Sequence, residues 1–72
     1  MEEYTAYEVM KDILSQWEII DLYYFDFYKE KNIVRYGKKG YNYERKMNET
    51  EFNNLLATII LLGYKESIEI YD

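Results

Sequence analysis

Cysteine and histidine are both absent from this sequence, which removes several functions together. A disulfide framework, a thiolate nucleophile and a Cys-based zinc or iron–sulfur site are all excluded. Metal binding would fall to carboxylates and carbonyls, and the Asp-rich spacing of a calcium loop is missing. There is no proline and glycine occurs three times, and the chain holds no glycine-rich phosphate loop, nucleophile elbow or HExxH pattern. Asp21 and Asp26 could share acid and base roles in principle, but five residues apart on one strand they point to opposite faces. The expectation is a protein that is not an enzyme and carries no cofactor and no metal. No apolar run approaches the roughly 20 residues needed to span a bilayer, and the chain opens on the acidic Met1-Glu2-Glu3. Both suggest a cytoplasmic location without membrane contact, in the host cytoplasm if a phage encodes the chain.

What the 72 residues do contain is ring surface and negative charge: ten tyrosines, an apolar fraction of 49% and a net charge of −5. A single domain this short buries only about 60% of its unfolded surface, which leaves little stability for a strained active-site cleft. Phe, Tyr, Met, Ile, Asn and Lys, all with AT-rich codons, dominate the composition. That is an associational pointer to an AT-rich bacterial, phage or archaeal-virus genome as source.

Thr5-Ala6-Tyr7-Glu8 has the spacing of a capping box. Val9, Met10, Ile13, Leu14 and Trp17 then recur at three- and four-residue intervals, which predicts a helix over Ala6 to Gln16 with one apolar stripe. From Trp17 to Tyr28 the composition turns aromatic and β-branched and predicts a long strand; the competing assignment prolongs the helix to Tyr24. Lys31 to Tyr36 and Tyr41 to Met47 flank Gly37-Lys38-Lys39-Gly40 and predict a hairpin. The register expected is Tyr36 with Tyr41, Val34 with Tyr43 and Asn32 with Arg45 on one side, and Ile33 with Glu44 and Arg35 with Asn42 on the other. Asn48-Glu49-Thr50-Glu51 caps a second helix whose apolar face is Phe52, Leu55, Leu56, Ile59 and Ile60, and Gly63 is placed to end it. Ser67 to Tyr71 alternates as a closing strand.

The order α-β-β-β-α-β predicts an α+β two-layer sandwich, an antiparallel or mixed sheet with two helices on one face. Its first five elements share the α-β-β-β-α order of double-stranded-RNA-binding domains. Where those domains grip phosphate with lysines this chain has Asn48-Glu49-Thr50-Glu51, so no family is assigned.

Three surfaces are candidates for function. With Trp17, Ile19, Tyr23, Phe25 and Phe27 turned to the helices, Ile20, Leu22, Tyr24 and Tyr28 are left on the other side of the first strand beside Asp26, a patch suited to a protein partner or a second copy. Burial on both faces of a central strand would explain the same residues. Seven of the nine Lys and Arg residues lie between Lys29 and Lys46 among tyrosines. Arg35, Lys38, Lys39, Arg45 and Lys46 could therefore hold phosphates while Tyr36 or Tyr41 stacks on bases. An ordinary solvated hairpin tip accounts for them equally, and the negative net charge opposes a polyanion. Third, the spaced carboxylates could imitate nucleic-acid phosphates in a basic groove, although solubility alone also explains them. The leading expectation is a small acidic protein-binding module, an inhibitor of a larger host protein that acts by surface occlusion or nucleic-acid mimicry. The alternatives are a nucleic-acid binder using residues 29–46 and a homodimer.

Overall fold

The capping box forms as its spacing dictates. In the computed structural model, which describes residues 3–16, 24–38 and 41–72, the Thr5 N–H donates to Glu8 Oε1 at 3.0 Å and the Glu8 N–H donates back to Thr5 Oγ1 at 3.1 Å. Helix α1 follows over Ala6–Gln16. Its buried stripe is narrower than the sequence suggests: Val9 and Ile13 are enclosed and Met10 packs beside them, whereas Leu14 is 66% exposed. One residue is about 100° of helix rotation, enough to carry Leu14 past the edge of the contact with the sheet. Trp17 lies outside the described residues.

Strand β2 covers Tyr24–Tyr28 and alternates strictly, with Phe25 and Phe27 buried between half-buried Tyr24, Asp26 and Tyr28. Tyr24 pairs with Gly37 in an antiparallel ladder, so a helix reaching Tyr24 is excluded. The earlier part of the expected strand, residues 17–23, lies outside the described residues.

The hairpin forms from β3, Ile33–Lys38, and β4, Tyr41–Met47, with a different register from the one expected. Tyr36 faces Tyr43, Val34 faces Arg45, Ile33 faces Lys46 and Arg35 faces Glu44. Pairing continues through Gly37 with Asn42 and Lys38 with Tyr41, which leaves two residues, not four, between the strands. The offset is two positions, an even number, so every side chain keeps its predicted face even though its partner changes. At the other end β3 starts at Ile33 and not at Lys31, because Asn32 adopts φ +53, a left-handed conformation that asparagine tolerates better than most residues.

Helix α2, Glu49–Leu61, starts at Asn48, whose Oδ1 accepts the Glu51 N–H at 2.8 Å. It ends in a Schellman arrangement: Gly63 takes φ +95, its N–H bonds Ile60 O and the Tyr64 N–H bonds Ile59 O. A 3₁₀ turn at Lys65–Ser67 leads into β5, Ile68–Tyr71, which lies parallel to β2. A two-residue strand β1, Glu3–Tyr4, runs parallel to β4 and was not expected, being too short to have a periodicity. The result is an α+β fold whose mixed sheet has the order β1-β4-β3-β2-β5.

Both helices contact the same side of this sheet, here called the inner face. Phe27 meets Phe52 of α2 edge-on, with centroids 5.3 Å apart and planes at 82°. The Tyr36 hydroxyl donates to Asp12 of α1 at 2.9 Å. The core is Val9, Ile13, Phe25, Phe27, Val34, Tyr36, Met47, Phe52, Leu55 and Ile59. The two helices are also joined at their starts, where the Ala6 N–H donates to Glu51 Oε1 at 2.8 Å. Glu51 therefore supplies a charged acceptor to the first turn of α1 as well as favourable charge to the first turn of α2. Glu51→Ala is expected to destabilise the domain by about 1–2 kcal/mol, and Glu51→Gln by less because it keeps an oxygen acceptor. Urea unfolding midpoints of the two variants check this.

Candidate functional site on the outer face of the sheet

The strand registers place side chains on the outer face in two ordered rows. One row runs Glu3, Lys46, Ile33, Tyr28 and Tyr71 across β1, β4, β3, β2 and β5. The next runs Glu44, Arg35, Asp26 and Glu69 across β4, β3, β2 and β5. Tyr24 stands beyond Asp26 on β2, opposite Gly37.

Within the first row, Tyr28 and Tyr71 stack with centroids 5.0 Å apart and planes 15° from parallel. Tyr28 and Ile33 are half-buried and Tyr71 is 44% exposed. Lys46 is held back from this surface, its Nζ donating to the Lys31 carbonyl at 2.9 Å. In the second row Arg35 Nε lies 3.7 Å from Glu44 Oε1, with both side chains about half exposed.

Two of these groups titrate away from their ordinary values. Partial burial raises the Asp26 carboxyl; the Arg35 charge opposes that rise and the neighbouring Glu69 charge adds to it. The Tyr71 phenol is raised chiefly by the negative charge of Asp26, with smaller contributions from desolvation and Glu69. A carboxyl whose folded pKa lies above its unfolded value favours folding fully only below about pH 4, and that contribution is lost as the pH rises through the folded value. At pH 7 the ionised Asp26 therefore opposes folding. Asp26→Asn is expected to raise the thermal midpoint at neutral pH, by about 1–3 °C since the site is part-exposed, and to leave it unchanged at pH 3. Melting curves at the two pH values check both statements.

The basic hairpin is divided between the two faces. Arg35 and Lys46 lie on the outer face, whereas Arg45 is on the inner side, 4.8 Å from the Tyr4 ring centroid and 5.3 Å from that of Tyr43. Tyr36, considered as a ring for base stacking, is fully buried, and its hydroxyl is raised well above the usual phenol range by desolvation first and by Asp12 second. Its ring stacks on Tyr43 at 5.6 Å. Lys38 and Tyr41 pair through their backbones at the end of the hairpin, and Lys39 lies outside the described residues.

Of the partner-binding candidates, Tyr24, Asp26 and Tyr28 come together on the outer face, while Ile20 and Leu22 lie outside the described residues. Ile33, Glu69 and Tyr71 join them and were not singled out from the sequence. The alternation of Glu69 and Tyr71 was visible, but that β5 would pair in parallel with β2 is a long-range fact no local pattern carries.

Other depressions among the described residues lie away from this face. A groove of about 340 Å³ runs along α1 between Glu8, Lys11 and Asp12 and the inner-face residues Tyr4, Tyr36 and Arg45. A shallow apolar hollow of about 460 Å³ is bounded by Tyr7, Met10 and Leu14. Among the described residues no group of carboxylates is arranged to hold a metal ion, and no helix is long and apolar enough to cross a membrane. No protein family matches the chain, and no characterised protein or solved structure is similar enough to count as a relative.

Proposed function

We propose that this is a non-enzymatic protein-binding module that applies the outer face of its sheet to a larger protein and inhibits it by covering a working surface. The observation that carries the reading is the stacked Tyr28–Tyr71 pair, part-exposed in the row that also holds Ile33 and next to a row of charged residues. Aromatic anchors beside a polar rim are the usual anatomy of a protein interface, and tyrosine loses little rotamer entropy when it is covered. The raised Asp26 carboxyl supports the same reading, since a charge that opposes folding in the free protein gains most from a partner that neutralises it. A reducing cytoplasm suits a chain without cysteine.

The nucleic-acid reading draws less support from the same fold. Its stacking ring Tyr36 is in the core, and Arg45 lies over tyrosines on the inner side. Arg35 is beside Glu44, and the net charge is −5. The test is capture of a protein by the tagged wild-type chain in parallel with Tyr28→Ala. Loss of capture in the variant, with retention in Tyr7→Ala on the exposed side of α1, is the expected result; equal capture by both variants contradicts the proposal.

A further inference from the structure

We infer that the outer face receives an arginine-bearing segment of its partner, the guanidinium lying between the Asp26 and Glu69 carboxylates and the Tyr28–Tyr71 rings. This rests on the docking reading above and specifies the chemistry of the occupant. The charged row holds three carboxylates, Glu44, Asp26 and Glu69, against one cation, Arg35. Arg35 stands between Glu44 and Asp26, its Nε 3.7 Å from Glu44 Oε1 and its charge also acting on Asp26, so one cation serves three carboxylates. Asp26 and Glu69 are then direct neighbours on adjacent parallel strands, about 4.8 Å apart at the backbone, and neither makes a salt bridge among the described residues. Like charges on adjacent strands repel unless a cation is shared between them. Burial is the main cause of the raised Asp26 carboxyl, Arg35 opposes it and Glu69 adds to it, while the Asp26 charge is the main cause of the raised Tyr71 phenol.

The neighbouring row decides which cation fits. Tyr28 and Tyr71, two residues on from Asp26 and Glu69 along β2 and β5 and so the next pair on the same face, present two near-parallel rings beside the carboxylates. A guanidinium is planar, forks towards two carboxylates, is weakly hydrated and stacks on aromatic faces. An ammonium can meet the charge but neither forks nor stacks in that way. A phosphate-bearing partner would be repelled, and the net charge of −5 steers a basic surface inward.

The probe is a capped Gly-Arg-Gly-Arg-Gly peptide, with lysine and citrulline counterparts, titrated into the full chain while backbone and tyrosine ring resonances are followed by NMR. The arginine peptide is expected to move Asp26, Tyr28, Glu69 and Tyr71 at millimolar concentrations. Binding should weaken about tenfold in the Asp26→Asn, Glu69→Gln double variant and about threefold or more for the lysine peptide, with no binding of the citrulline peptide. Shifts confined to the helices, equal binding of the lysine peptide, or binding unaffected by the double variant would overturn the inference, as would self-association of the free chain through this face in light scattering. Capture of the larger protein separates the two levels of the argument. If Tyr28→Ala loses the partner and the carboxylate double variant keeps it, the face is the docking surface and the arginine assignment is wrong. If Tyr28→Ala keeps the partner, the docking reading itself fails.

Discussion

Phe27→Ala is expected to leave the chain on the edge of unfolding at 25 °C. Phe27 is fully buried on β2, pairs with Val34 on one side and Ile70 on the other, and holds α2 to the sheet through its edge-on contact with Phe52. Truncating a buried phenylalanine costs about 3–5 kcal/mol, as lost transfer energy plus a cavity. A domain of this size has a total stability near the lower end of the usual 5–15 kcal/mol, and it has no disulfide to limit the entropy of the unfolded chain. One substitution therefore consumes most of the margin. Far-ultraviolet circular dichroism against urea should show little or no folded baseline for Phe27→Ala. Tyr7→Ala, at a position 73% exposed on α1, should stay within about 0.5 kcal/mol of the parent. A Phe27→Ala domain that unfolds cooperatively within 1 kcal/mol of the parent would mean that the interface between sheet and helices is not the source of stability.

The second large effect concerns binding. Tyr28→Ala is expected to weaken the complex with the captured protein by about 2 kcal/mol or more, roughly thirtyfold, as is typical of a central aromatic anchor. Its effect on folding should be much smaller, because the ring is only half-buried and its described aromatic contact is the stack on Tyr71, a pair worth about 0.5–1.5 kcal/mol. The separation of the two effects is the informative part. Phe25 and Phe27 on the same strand have the opposite profile, with large losses in folding and no direct contact with a partner. Alternation along five residues thus puts the core rings on one side of β2 and the residues proposed for recognition on the other. A double-mutant cycle between Tyr28 and Tyr71, read both as urea stability and as affinity, checks whether the stacked pair acts as one unit in both.

The secondary structure was readable where short-range chemistry determines it. The capping box at Thr5 and Glu8 and the Asn48 cap fix where both helices begin, and Gly63 fixes where α2 ends, because those contacts span three to five residues. The face of each hairpin residue was equally readable, since alternation survives an even register shift. The register itself was not: two glycines in Gly37-Lys38-Lys39-Gly40 suggested a four-residue loop, while in the fold Gly37 is a ladder position between Tyr24 and Asn42. What local sequence could not supply was the company each residue keeps. Alternation already separates Arg45 and Tyr36 from Arg35 and Lys46 on the two sides of the hairpin; that the side with Tyr36 and Arg45 is the one turned to the helices depends on long-range packing. The acidic row exists only because the last strand joins β2 in parallel, bringing Glu69 beside Asp26 across more than forty positions of chain.

Tyrosine-selective labelling followed by mass spectrometry, with and without the captured partner, tests the central claim most directly. Tyr28 and Tyr71 should be modified in the free protein and protected in the complex, while Tyr7 on the exposed side of α1 reacts equally in both. Protection of Tyr7 with continued reaction of Tyr28 and Tyr71 would place the partner on the helices and contradict the account.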